Sequence, residues 1–379
     1  MKKLILLLMT AALILSCLSF AGAETIAWTE DDVTNANVPV PASLANNPVI
    51  EGEDPFTGLP DNGEAYTPVL LVIDNNKEGY PHWGVGSASI LFQIPNMSTG
   101  NTKLMALFSS EYPELAGGSR SARMTALPFA TAFDTAFSSA NYGPHQEAVE
   151  TLGLNQAIQF DYWRVKWNLH TQQSSTPSNR KWFDLLGNGT YKHRVPVAEV
   201  NGQYDASLVA HMKEIHEMLI QNGVTFEKRP FLFTDTPLDR GAAANVIDVK
   251  FYDRRNEGSS NAASNCTFYY EDGVGYQREN AAGVEIDRTT KNVLCFSNLL
   301  ILRAPLKTAD GYHYWVNNLV GSGIVDIFQN GHYIQGSWYR ENETSRLIFL
   351  DDQGNELQFQ RGKTYIVASD DRAVVTYEE

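Results

Sequence analysis

The segment best suited to chemistry is Gly117-Gly118-Ser119-Arg120-Ser121-Ala122-Arg123. Two glycines allow a tight turn, Ser121 is a natural N-cap, and the residues that follow predict a helix over 121–137. A helix start flanked by two guanidinium groups is a ready anion site. The competing role for Arg120 and Arg123 is structural, each pairing with an acid such as Asp74 or Glu111. A second group is Trp163-Arg164, Trp167 and His170-Thr171, followed by polar residues to 175. Indole faces beside polar side chains line sugar or peptide grooves, and His170 titrates near neutral pH. The plainer reading makes the tryptophans core and His170 a hydrogen-bonded spacer. Together with Asp74-Asn75 at a predicted strand end, these segments give one candidate ligand-binding set: Asp74, Asn75, Arg120, Ser121, Arg123 and His170.

Other chemistries have weaker support. The chain contains no P-loop, no G-x-S-x-G elbow, no H-E-x-x-H and no C-x-x-C. His211 and His216 stand five apart, on different faces of a helix, so no metal site is expected there and no cofactor is called for. A hydrolase or transferase would use His170 as general base with Asp74 or Ser121 in support.

The elements that must position these residues follow from apolar patterning. Strands are expected over 66–73, 89–94 and 103–109, the first ending in the turn Asp74-Asn75-Asn76. A second helix is expected over 205–222, with Leu208, Met212, Ile215 and Leu219 on one face and Gly223 as its stop. After Pro237 the pattern becomes all strand, punctuated by Asp272-Gly273, Asn330-Gly331 and Gln353-Gly354 turns. The reading is α+β: an N-terminal α/β domain over 63–237 and a C-terminal all-β domain, an antiparallel sheet, over 245–379. Residues 24–62, acidic and rich in Pro and Asn, read as an extended tether or surface strap.

The amino terminus carries export information. Lys2-Lys3 precedes an apolar run to Leu15 that is too short for a comfortable membrane span, so 1–23 reads as a signal peptide. Ala21-Gly22-Ala23 fits ordinary cleavage, whereas Leu15-Ser16-Cys17 resembles a lipobox that would leave Cys17 lipid-modified. Both place the mature chain outside the cytoplasm, secreted or anchored at the outer face of the cytoplasmic membrane. Of 379 residues, 29 are basic and 44 acidic, a net charge of −15. Losing Lys2 and Lys3 makes it −17. Such acidity excludes a nucleic-acid partner and leaves a lipid anchor as the sole route to a membrane. Cys266 and Cys295 are then either a disulfide or two separately buried thiols.

The order of several short motifs resembles the YerB-like lipoproteins, two-module bacterial exported proteins of unknown function. Asp54-Pro55-Phe56-Thr57-Gly58-Leu59-Pro60 is similar to that family's N-P-L-T-G-L-P entry, and Val72-Ile73-Asp74-Asn75 to its V-M-I-D-N strand end. Arg120-Ser121-Ala122-Arg123 matches its R-S-A-R segment. Leu319-Val320-Gly321-Ser322-Gly323, Ile334-Gln335-Gly336-Ser337-Trp338 and Gly362-Lys363-Thr364 follow in the carboxyl half. The resemblance runs from about Asp54 to Ala368 and implies an exported or lipid-anchored envelope protein. The family usually carries a Glu where this chain has Gln93, and an Arg where it has Lys103. The expectation is a non-catalytic binding protein for an anionic or glycan-type envelope ligand. An envelope hydrolase or transferase and a purely structural scaffold stand as alternatives.

Overall fold

Val69-Leu70-Leu71-Val72-Ile73 contains no polar position, so a strand made from it must be covered on both faces. The computed structural model shows this arrangement. It describes residues 22–96, 99–120, 124–139, 208–221, 223–252, 260–308 and 319–379, with short strands at 168–170, 183–185, 195–196, 204–205 and 314–316. The first half contributes β1 (Glu24–Ile26), α1 (Glu30–Thr34), β2 (Val69–Ile73), β3 (Ile90–Pro95), β4 (Thr102–Phe108), α2 (Leu127–Ala132), β5 (Ala136–Ser139) and β6 (Asn168–His170). A connector carries α3 (Met212–Gln221), β7 (Leu232–Thr234) and β8 (Ala242–Ala243). Beyond it come β9 (Val246–Phe251), β10 (Cys266–Glu271), β11 (Gly275–Asn280), β12 (Gly283–Val284) and β13 (Cys295–Phe296). The chain ends with β14 (Asn298–Arg303), β15 (Gly321–Gln329), β16 (His332–Arg340), β17 (Ile348–Leu350), β18 (Gln358–Gln360), β19 (Thr364–Ser369) and β20 (Ala373–Glu378).

The central sheet has eleven strands in the order β8-β16-β15-β14-β19-β3-β4-β2-β5-β6, with β17 added on β16. The two halves of the chain meet inside it, where β19 runs parallel to β3 with Ile366 opposite Phe92. Side-chain parity divides its residues between two cores. Val69, Leu71 and Ile73 face a second, seven-stranded sheet, β1-β20-β9-β10-β11-β12 with β13 on β11, and pack on its Val249, Phe268 and Val375. Leu70 and Val72 face the other way, onto Phe129 and Phe133 of the α2 region and Phe231, Phe349 and Phe359. Arg229 donates to the Thr131 and Ala132 carbonyls at the end of α2, at 2.8 and 2.9 Å.

The protein is thus mostly β, and three expectations need correction. The sheet of the C-terminal half is mixed rather than purely antiparallel, since β14 pairs β19 in parallel. Among the described residues, the expected helix over 121–137 is α-helical at Leu127–Ala132, and 136–139 pairs instead with β2. The expected helix from 205 begins at Met212, because Leu208-Val209-Ala210 pairs with the extended backbone at 116–117 and 183–185. Tertiary pairing overrides local propensity in both places.

The segment before residue 63 lies along the body as a strap. β1 pairs with β20, and the Trp28 indole N–H donates to Asp326 at 3.1 Å. Asn47 reaches the Pro230 carbonyl and the Glu356 carboxylate. The Asp54-Pro-Phe-Thr-Gly motif that follows is architectural. Buried Asp54 accepts from the Phe56 and Thr57 amides at 2.9 and 2.8 Å and from the Ser89 and Ser109 hydroxyls. Gly58 has φ +63°, and a Cβ there would stand 2.6 Å from the Phe233 ring. Only glycine satisfies both conditions.

Candidate functional site

The Gly117–Arg120 segment is extended. It runs along the end of β2: the Asp74 amide donates to the Gly118 carbonyl and the Arg120 amide to that of Val72, both at 3.0 Å. Gly117 has φ +143° and exchanges backbone hydrogen bonds with Trp83. This placement carries the Arg120 guanidinium onto Asp74, with Nε and Nη2 at 2.8 and 2.6 Å from Oδ2. The other oxygen of Asp74 accepts from the Asn76 side chain at 3.0 Å. Asp74 is buried, while Arg120 keeps 34% of its side chain exposed. Of the two roles expected for Arg120, this is the structural one, a pair with Asp74. Ser121 and Arg123 lie outside the described residues.

Asn75, one residue on, turns into the interior. Its Nδ2 donates to Thr102 Oγ1 at 2.6 Å, and its Oδ1 accepts from the Tyr80 hydroxyl and from Arg278. Arg278, fully buried on β11, also donates to Glu285 at 2.8 Å, Tyr80 at 2.9 Å and Gln93 Oε1 at 3.3 Å. His82 Nδ1 stands 3.5 Å from the second oxygen of Glu285. Burial pushes the Glu285 pKa upward, but the Arg278 and His82 charges outweigh it and hold the carboxyl below its ordinary range. Burial raises the hydroxyls of Tyr80 and Tyr365, which stay protonated donors. The network joins residues of the first half to β10, β11 and β19 of the second.

Gln93 explains its own departure from the family pattern. Its Nε2 donates to the Ser264 carbonyl at 2.7 Å and to Thr102 Oγ1 at 3.0 Å, while Oε1 accepts from Tyr365 at 2.9 Å. A carboxylate could not make the first bond, because it has no hydrogen to donate to the Ser264 carbonyl.

His170 closes β6, its backbone opposite Ser139 of β5, two strands across the sheet from β2. Its side chain lies outside the described residues, as do Trp163, Arg164, Trp167 and Cys17. Asp74 is held by Arg120 and Asn76. His216, by contrast, is buried against Thr67 at 2.6 Å and Glu64 at 3.0 Å and stacks on Tyr112.

The disulfide alternative is corrected too, because Cys266 and Cys295 are both free thiols. Cys266 on β10 sits opposite Asn280 of β11, and Cys295 on β13 opposite Gln277 of that same strand. With β11 between them they are separated by two strand spacings, roughly 9–10 Å, beyond the reach of a bridge. Burial raises the Cys266 thiol pKa.

An open cleft of about 550 Å³ lies between the connector at 232–240 and the loop and strand at 351–360. Its size is typical of a ligand pocket. Leu232, Ile334 and Leu357 give it an apolar floor, while Thr234, Asn355 and Gln358 supply neutral polar groups. Arg240 holds one wall through Asp351 at 3.1 Å and Asp352 at 2.5 Å. Glu356 is clamped from behind by Arg346 and by Asn47 of the strap. None of these residues stands out as catalytic in the sequence. The one local signal is the density of acids and amides in Asp351-Asp352-Gln353-Gly354-Asn355-Glu356.

Comparison with known proteins gives consistent results. Two family models match, "Protein of unknown function (DUF3048) N-terminal domain" over residues 56–179 and its C-terminal counterpart over 256–366. The chain is 23% identical over 322 residues to "Putative lipoprotein YerB" of Bacillus subtilis (strain 168), covering 82% of this chain and 84% of that protein. The crystal structure of the Bacillus subtilis YerB protein superposes with a TM-score of 0.62 at 21% identity, covering 83% of this chain and 96% of that one. This last likeness is one of fold.

Proposed function

Since the chain belongs to the DUF3048 family and carries both its N-terminal and its C-terminal domain, we propose that it is a non-catalytic binding protein of the cell envelope whose ligand is of glycan type. The observation that carries this reading is the 550 Å³ cleft, with its apolar floor and its Thr, Asn and Gln side chains. Planar amides and hydroxyls recognise the hydroxyls of a sugar ring, and an aliphatic floor accepts its C–H face. The anionic alternative loses its support at Arg120, whose guanidinium is already held by Asp74.

An extracytoplasmic place for the protein is supported by the signal-like first 23 residues and by the similarity to a protein named as a lipoprotein. Cleavage after Ala23 and lipid modification at Cys17 both leave β1, which starts at Glu24, intact.

Calorimetry with soluble peptidoglycan fragments and with oligomers of N-acetylglucosamine tests the reading. Binding should be seen, and Gln358→Ala with Thr234→Val should weaken it at least about tenfold, the loss of two hydrogen bonds. Both residues are at least partly exposed, so stability should move by less than about 0.5 kcal/mol. Absence of binding at millimolar sugar, or binding indifferent to these substitutions, rejects the proposal.

A further inference from the structure

The charge arrangement around the cleft narrows the ligand further, and the argument rests on the binding role just proposed. Asp239, Asp351 and Glu356 line the cleft together with a single cation, Arg240. Glu356 is balanced by Arg346, which donates to both of its oxygens. Arg240 is shared between Asp351 and Asp352, so that one negative charge of the two is uncompensated. Asp239, on the exposed rim, has no hydrogen-bond or ion-pair partner among the described residues. The immediate surroundings therefore carry about two uncompensated negative charges beside neutral hydroxyl and amide groups.

An anionic polymer is repelled by such a cleft. A bare divalent ion is no better fit: among the described residues, no three His, Cys, Asp or Glu side chains converge on one point that could hold a metal. What matches is a ligand whose positive charge is spread along a hydroxyl-rich backbone. We propose that the cleft takes an amino sugar with free amines, a de-N-acetylated, glucosamine-type glycan. The ammonium groups face Asp239 and Asp351, the ring hydroxyls meet Thr234, Asn355 and Gln358, and the ring faces rest on Leu232, Ile334 and Leu357. Asp352, just outside the lining, adds its charge by sharing Arg240 with Asp351.

A matched pair of oligosaccharides tests this on the full mature chain. Tetramers of glucosamine and of N-acetylglucosamine share one backbone and differ in the charge of the 2-amino group. At low salt and a pH where the amines are protonated, the glucosamine tetramer should bind about tenfold tighter, two exposed ion pairs' worth. The preference should shrink as salt is added. The double substitution Asp239→Asn, Asp352→Asn, at solvent-facing positions, removes the two uncompensated charges and should bring the ratio to about one, chiefly by weakening the glucosamine tetramer. Equal or tighter binding of the N-acetylated tetramer overturns the amino-sugar assignment and leaves the glycan cleft standing. A preference that survives the double substitution also overturns it, because the attraction then comes from the chain's general acidity. If neither tetramer binds, both the assignment and the cleft's binding role fall.

Discussion

Two arginine-centred regions of this molecule use the same side-chain chemistry to opposite ends. At the junction of the two halves, Arg278 is fully buried and donates to Glu285, Tyr80, Asn75 and Gln93, all buried themselves. At the cleft, Arg240 keeps 38% of its side chain exposed and shares two carboxylates that also face solvent. The first network lies wholly in the interior and ties strands from both halves together. The second leaves charge and hydrogen-bonding capacity facing an open volume. Of the residues singled out in the sequence, Asn75 is consumed by the first, and a ligand can use only what the second leaves available.

Three substitutions probe that contrast. Arg278→Met should have the largest effect, because it strands the Glu285 carboxylate without its cation. The expected loss is roughly 3–5 kcal/mol, read by urea unfolding, and a loss under about 1 kcal/mol would show that the junction is not a lock. His216 is an intermediate case, buried but touching exposed Glu64. Burial lowers its pKa below the ordinary 6.5, against the opposing pull of Glu64 and Glu217. The folded state then binds fewer protons than the unfolded chain as pH falls through about 6.5, so this stability is present above that pH and lost below it. The melting temperature of wild type relative to His216→Gln should fall from pH 8 to pH 5. A gap that is flat or widens contradicts the assignment. The smallest effect is expected for Arg120→Ala, about 1 kcal/mol or less, since the pair is partly hydrated. A loss of several kcal/mol in that variant would move Arg120 into the locked class.

The sequence was most legible where burial is two-sided. The strand expected over 66–73 is found at Val69–Ile73, because an uninterrupted apolar run of that length has few other uses. Asn330-Gly331 is legible as a hairpin turn for a different reason: both residues adopt positive φ, at 49° and 69°, which their types favour. Helix 121–137 was overextended because Ala136 and Phe137 suit helix and strand equally, and only the neighbouring β2 decides between them. The candidate site fared worse. Asp74 and Arg120 were rightly brought together, but one candidate role was binding and the observed one is mutual neutralisation. The cleft was not legible, since its walls come from positions over a hundred residues apart and consist of ordinary Thr, Asp and Gln side chains. Pairing across such distances leaves no mark on local periodicity.

The attachment of β1 has a mechanical consequence. Three residue pairs join Glu24–Ile26 to the last strand, and two residues later Trp28 reaches Asp326 in the interior of the central sheet. Asp326 in turn receives the guanidinium of Arg303. A pull on the amino terminus, such as a lipid anchor would transmit, loads those three pairs first and the Trp28 contact next. Tension would therefore enter the molecule at its sheets, and the cleft would feel it only after β1 had peeled away and the strap leading to Asn47 had been drawn taut.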